Sequence, residues 1–300
     1  MKISAIITSR NDNYGGNLNE RATYCFNSAI DTYDEVIYID WNSDTHSLLY
    51  DIKDNIQFKG NFKHIVIPPY AATNLTNKDP DAQKCCEVLA RNIGLRRATG
   101  DWLISTNIDI IHPKRESLIE SINTMSDSIF YSVMRRGIDW EDILNYNNGD
   151  YNFLNWKNTK DFLDNEKEEH FVKDILNTHF GGKKIKSFEN NNFDLFPCCG
   201  DFQIAHKKVW SEIKGFEEKF IYPLYTDTNV QKKSILHGFG LEGRYEPALY
   251  HINHGKGGGG LLDNINKVSN DFYEAILSNQ KTENLDTWGF SDIEIEYEVF

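Results

Sequence analysis

The chain predicts an α/β fold, a mostly parallel central sheet flanked by helices. Apolar runs of strand length alternate with helix-length stretches through the first half. Several of these runs stop on a polar cluster, as strands of a parallel sheet do at a ligand-facing edge. Hydrophobic residues make up 40% of the 300 residues and aromatics 13%, ample for a buried core.

In order, residues 3–8 read as a β-branched strand ending in Ser9-Arg10-Asn11-Asp12, followed by a helix over about 18–30. Residues 36–39 form a second strand that stops on Asp40-Trp41-Asn42-Ser43-Asp44. Residues 64–67 form a third, closed by Pro68-Pro69, which cannot continue a ladder. Ala82, Cys86, Leu89 and Ile93 recur at helical spacing, predicting a helix over about 81–98 that Gly100 terminates. Residues 102–106 are a fourth strand, running into Asn107-Ile108-Asp109. Pro113 opens a helix, and 128–134 are a fifth strand.

Residues 138–196 lose periodicity and read as an insertion, with some helix near 168–177. Regular structure resumes at 202–205, then helices over 207–213 and about 227–236. A glycine run, 255–260, precedes a C-terminal helix and an acidic tail. The expectation is one domain, with a first half over 1–137, a second over 197–260 and a tail over 261–300.

The net charge of −13 offers no broad basic footprint, so nucleic acid is not an expected partner. Five cysteines, Cys25, Cys85, Cys86, Cys198 and Cys199, make a poor disulfide framework and lack zinc-finger spacing. They read as core residues in a reducing compartment. No basic, apolar leader opens the chain and no run is long enough to span a bilayer, so a soluble cytoplasmic protein is expected. A homo-oligomer is left open.

The chemistry gathers at strand ends. In a parallel sheet the clusters at 9–12, 40–44 and 107–109 share one edge. A strand places residues two apart on one face, so Asn107 and Asp109 are expected to project together, a set suited to a hard divalent cation. The competing reading is turn formation. Asp227 opens a helix, where aspartate suits an N-cap. His251 and His254 are candidate ligands or histidines bonded to backbone. Lys256 sits in a glycine-rich flap that contacts a diphosphate, or in a plain linker; it is not a Walker A loop. Most aromatics of the middle region (Trp140, Tyr146, Tyr151, Phe153, Trp156, Tyr222, Tyr225) read as core. Trp41 is the one expected near a nucleotide base.

Asp40-Trp41-Asn42-Ser43-Asp44, then Ala90-Arg91-Asn92-Ile93-Gly94 on a helix, then Asn107-Ile108-Asp109 resemble the D-D-G-S-x-D, A-R-N-x-G and D-x-D series of family 2-like glycosyltransferases with the GT-A fold. The resemblance is strongest over residues 3–110, and Asn107 departs from it by replacing an aspartate. The block from Gly200 to Lys233 is similar to the acceptor side of that family, with Thr226-Asp227 where two acids are usual. The resemblance implies a nucleotide-sugar donor, with a UDP-sugar expected, and a glycan or other hydroxyl acceptor. It implies Mn²⁺ or Mg²⁺ on Asp109 and one downstream histidine, Asp227 as base, and inversion at the anomeric carbon. Thr8, Ser9, Arg10, Asp12 and Asp40 would cradle base and ribose. Arg91 would lie by the diphosphate, with Asn107 and Ile108 also on the donor side. The rivals are a nucleotidyltransferase acting on sugar phosphates and a non-catalytic nucleotide-sugar or carbohydrate module.

Overall fold

The computed structural model describes residues 1–76, 84–146, 184–185, 200–220, 226–255 and 281–300. The first half builds β1 (Ile3–Ser9), α1 (Leu18–Thr32), β2 (Glu35–Trp41), α2 (Leu48–Ile52), β3 (Phe62–Ile67), α3 (Pro69–Leu75), α4 (Glu87–Arg97) and β4 (Trp102–Asn107). After it come β5 (Ile110–Ile111), α5 (Arg115–Ile122), β6 (Ile129–Val133), β7 (Arg136–Asp139), α6 (Trp140–Tyr146) and β8 (Lys184–Ile185). Then follow β9 (Phe202–His206), α7 (Lys207–Glu212), α8 (Thr226–Leu236), β10 (Gly240–Arg244), β11 (Tyr250–Asn253) and β12 (Glu298–Val299).

Nine strands form one sheet in the order β12-β3-β2-β1-β4-β9-β6-β10-β8. β3, β2, β1 and β4 are mutually parallel, and β6 and β10 run the same way. β9 is wedged antiparallel between β4 and β6, and β8 and β12 are antiparallel edges. β5, β11 and β7 make a second, three-stranded sheet.

Strand parity sorts the core into two layers. Ile3, Ala5, Ile7, Val36, Tyr38 and Ile104 face α1, against Leu18, Ala22, Cys25, Phe26 and Ala29. Ile6, Ile37, Ile39 and Leu103 face α4, against Leu89, Ala90 and Ile93. Buried on both faces, these strands carry continuous apolar runs instead of alternation. Each such side chain contributes about 1.5–3 kcal/mol on leaving water. Trp41 shares the parity of Ile37 and Ile39 and is fully buried in the α4 layer. This corrects the expectation that it lies by a nucleotide base: its position in the pleat commits it to the core. Cys25 and Cys86 are buried as expected, and Cys85 is part-buried.

Several boundaries move. The helix expected from 81 begins at Glu87, with 77–83 outside the described residues, and Pro113 precedes the α5 cap instead of opening the helix. In the expected insertion β7, α6 and β8 are regular, and the helix near 168–177 lies outside the described residues, as do 256–280. In the described C-terminal stretch a 3₁₀ turn (Trp288–Phe290) packs on α4, and β12 covers the β3 edge. No helix among the described residues is long and apolar enough to cross a membrane.

Gly94 is where α4 meets the sheet. A Cβ there would lie 2.5 Å from Ile6 Cγ2 and 2.8 Å from Ile39 Cδ1, both fully buried. Gly94→Ala is expected to destabilise by about 1–3 kcal/mol despite its better helix propensity, because overpacking outweighs it. Urea unfolding checks this; a rise in stability would refute the close approach.

Candidate functional site

Parallel register brings the strand ends together: Thr8 lies opposite Asn107, and Ser9 opposite Asp40. The loops beyond β1 and β2 are then laced to each other. Arg10, almost fully buried, donates from Nε to Asn42 O at 2.7 Å and pairs with Asp44 at 2.5 Å and Asp12 at 3.4 Å. Ser43 Oγ accepts from Asn11 N at 2.9 Å. Asn42 supports this turn with a left-handed φ of 60°, which Asn tolerates well. Asp40 is fully buried. Its Oδ2 accepts from Tyr38 OH (2.9 Å) and Leu48 N (3.1 Å), while Oδ1 has no hydrogen-bond partner among the described residues. Ser9 Oγ bonds the same Tyr38 hydroxyl at 2.8 Å, and Thr8 is buried beside it.

β4 ends at Asn107, and residues 108–109 form a turn into β5. The expected two-residue strand repeat therefore fails here, and Asn107 and Asp109 take different partners. Ile108 is buried in the α1-side core, which leaves its backbone as the part able to reach a ligand.

Asp109 is buried among His251 on β11, His254 just beyond it, and Arg21 of α1. Its Oδ2 lies 3.0 Å from His254 Nε2, 3.5 Å from His251 Nε2 and 3.4 Å from Arg21 Nη1. Its Oδ1 is buried with no hydrogen-bond partner among the described residues. Burial alone would raise the Asp109 pKa, but hydrogen bonds and charge from the two histidines hold it well below the ordinary carboxylate range. Potential ligand atoms of Asp109, His251 and His254 lie within 4.8 Å of one another. The hydrogen bonds around the rings bear on what fits between them. His254 Nδ1 faces Gly255 O at 2.9 Å, an oxygen that only accepts, so Nδ1 carries the proton. Nε2 is then the nitrogen turned toward the carboxylate, 3.0 Å from Oδ2. With the orphaned Oδ1, this donor set fits a divalent metal.

The β1–α1 loop wraps this cluster. Arg21 donates to the carbonyls of Tyr14 and Gly16, and Gly255 N donates to Gly15 O at 3.2 Å. Gly15, at φ 72°, touches the His254 ring so closely that a side chain there would collide with it. Arg21 escaped the sequence reading, yet it had a signal. It is a charge on the stripe Leu18, Ala22, Cys25, Phe26, Ala29, which is otherwise apolar and buried.

The second cluster centres on Arg91. It donates to Asn107 Oδ1 at 2.5 Å, Glu87 Oε2 at 3.0 Å, Ser105 Oγ at 3.2 Å and Gly200 O at 3.3 Å. Asn107 Nδ2 in turn donates to Asp201 Oδ1 at 2.6 Å, and Arg135 Nη1 pairs with Asp201 Oδ2 at 2.6 Å. The carboxylate missing at Asn107 is thus delivered from across the chain by Asp201, which the sequence reading did not identify. Asp227 stands in the first turn of α8, and its Oδ1 accepts from Thr228 N at 2.8 Å. Gly200 packs against it; an added Cβ would lie 3.0 Å from Asp227 Cβ. Burial and the charge of Asp201 raise the Asp227 pKa, against lowering by the Thr228 amide and Arg91. Lys256 lies outside the described residues.

The neighbouring Asn92 explains a further motif position. It receives Phe216 N at 2.8 Å and donates to Phe216 O and Glu218 Oε1 at 2.9 and 3.0 Å, pinning the turn at Gly215 ahead of α8. Asn107→Asp, which would complete a D-x-D, is expected to lose about 1–3 kcal/mol at pH 7, because it sets a carboxylate against Asp201 and removes the donor. Chemical denaturation checks this; unchanged stability would refute the Asn107–Asp201 bond.

No protein-family model matches the chain, and no curated protein matches it. Solved structures do. S. aureus TarS 1-349 in complex with UDP-GlcNAc aligns with a TM-score of 0.52 and 14% identity over 92% of this chain and 64% of that one. A longer S. aureus TarS chain gives a TM-score of 0.49 and 13% identity, covering 84% of this chain and 37% of that one. The mannosyltransferase PcManGT from Pyrobaculum calidifontis, in complex with GDP-Man and Mn²⁺, gives 0.45 and 13% identity over 84% and 56%. The chain thus spans less than two thirds of the structures it resembles. With its mostly parallel sheet, flanking helices and antiparallel β9, the chain has the GT-A fold.

Proposed function

We propose that the chain is a metal-dependent glycosyltransferase that moves a sugar from a nucleotide-sugar, a UDP-sugar in the first instance, to an acceptor hydroxyl with inversion. The observation that carries this reading is the Asp109–His251–His254 set just beyond the end of β4, with Asp227 connected to the same strand end through Gly200, Arg91 and Asn107. The likeness in fold to TarS, solved with UDP-GlcNAc, supports a UDP-sugar as donor.

On this reading Asp109, His251 and His254 hold Mn²⁺ or Mg²⁺, which supplies positive charge against the diphosphate leaving group. Asp227 accepts the proton of the acceptor hydroxyl. That oxygen attacks the anomeric carbon while the bond to the diphosphate oxygen breaks, and the nucleoside diphosphate departs with the electron pair. The Thr228 amide fixes Asp227, which is the second residue of α8 and so stands inside the helix and not at its N-cap. Arg91 stands beside the diphosphate, with Nε buried and without a partner among the described residues. Thr8, Ser9, Arg10, Asp12 and Asp40 shape the nucleoside end, where the orphaned Asp40 Oδ1 can accept from a base N–H.

Incubation with UDP-sugars and Mn²⁺ tests the proposal: metal-dependent release of UDP is expected. Pyrophosphate as product would instead mark a nucleotidyltransferase, and binding without product a non-catalytic module. Asp227→Asn is expected to reduce turnover by about a hundredfold or more while UDP still binds. Because the Asp227 pKa is raised and a base must be ionised, turnover should fall as pH drops through a value above the ordinary aspartate range. A pH–rate profile without that acid limb would exclude Asp227 as base.

A further inference from the structure

Asn253, the last residue of β11, has a side chain whose two ends are both assigned by chemistry. Its Nδ2 lies 2.8 Å from Asp139 Oδ1 at the end of β7. A carboxylate only accepts, so the amide nitrogen must point there and Oδ1 must point the other way. Oδ1 lies 3.3 Å from His251 Nδ1. An amide oxygen also only accepts, so Nδ1 of His251 is the donor in that contact and Nε2 is the nitrogen turned toward Asp109 Oδ2, 3.5 Å away. Parallel pairing of β11 with β7 sets Asn253 opposite Asp139 and His251 opposite Gly137, so the orientation is built into the sheet. A side chain at Gly137 would press on the Asn253 amide, which a Cβ would approach to 3.2 Å. His254 reaches the same state through Gly255 O. Both rings therefore turn Nε2 to one carboxylate.

Resting on the metal-dependent reading above, we propose that Asn253, oriented by Asp139, is a positioning residue that makes His251 a ligand alongside His254, so that the centre has two imidazole nitrogens and one carboxylate and selects a first-row transition cation over Mg²⁺. Imidazole nitrogen suits first-row transition cations better than it suits Mg²⁺, which requires oxygen and gives up its water reluctantly. A centre with one histidine would discriminate less. Outer partners that fix a ligating histidine typically contribute about 10–100-fold in metal affinity.

The test is metal binding to the full chain without nucleotide, read by titration calorimetry and by the Mn²⁺ electron paramagnetic resonance signal. The unsubstituted protein should bind Mn²⁺ at least about a hundredfold more tightly than Mg²⁺. Asn253→Ala should weaken Mn²⁺ by about 10–100-fold and leave Mg²⁺ little changed. His251→Ala and His254→Ala should each weaken Mn²⁺ at least as much. Equal affinity for the two cations overturns the inference, as does an Asn253→Ala or His251→Ala protein that binds Mn²⁺ normally. Circular dichroism reports whether each variant folds. If Asn253→Ala does not, the Mn²⁺ to Mg²⁺ ratio of the unsubstituted protein and the two histidine variants still decide. Failure of the unsubstituted protein to bind any divalent cation would overturn the metal-dependent reading itself, and this inference with it.

Discussion

The antiparallel pairing of β9 with β4 is the constraint on which the site depends. Four parallel strands deliver their carboxyl ends to one edge, but they come from the first 107 residues alone. Because β9 runs the opposite way, it starts at that edge, and Gly200 and Asp201 precede its first residue there. The bond from Asn107 to Asp201 closes the ladder at the site end, reinforced by Asn107 N donating to Asp201 O at 3.3 Å. Gly200 is thereby set against Asp227, and its carbonyl against Arg91. A parallel strand in the same slot would have brought its far end instead.

Charge is arranged around this edge so that each buried ion has an answer. Glu87, Arg91, Asn107, Asp201 and Arg135 alternate acceptors with cations, which lowers the cost of holding ions away from water. Asp109 is answered by Arg21 and two histidines. Arg21 also donates to carbonyls of the β1–α1 loop, so one side chain ties that loop to Asp109. Asp227 has a raised pKa because burial, helped by the charge of Asp201, outweighs the lowering by the Thr228 amide and Arg91.

The motif residues carry physical duties that explain their spacing. On α4, Arg91 reaches the site, Asn92 turns to the side that pins Phe216, and Gly94 lets the helix lie close on Ile6 and Ile39. Three residues on one short helix thus serve the ligand edge, the approach to α8 and the core. Asp40 similarly ties the end of β2 to the start of α2 through Leu48 N.

By itself the sequence determined the strands, their parallel majority, the edge at which they end, and Asp109, the two histidines, Arg91 and Asp227 as the residues to watch. Those features are local: a buried strand must be apolar, and it must stop where polar groups begin. The tertiary structure decided the rest. Trp41 went to the core because pleat parity put it beside Ile39, and Asn107 parted from Asp109 because the strand ends between them. Asp201, Arg21 and Asn253 joined the site because pairings between distant segments, β9 on β4, α1 over β5 and β11 on β7, brought them there. Such contacts leave no periodic mark in the chain, since what each residue must match lies many positions away.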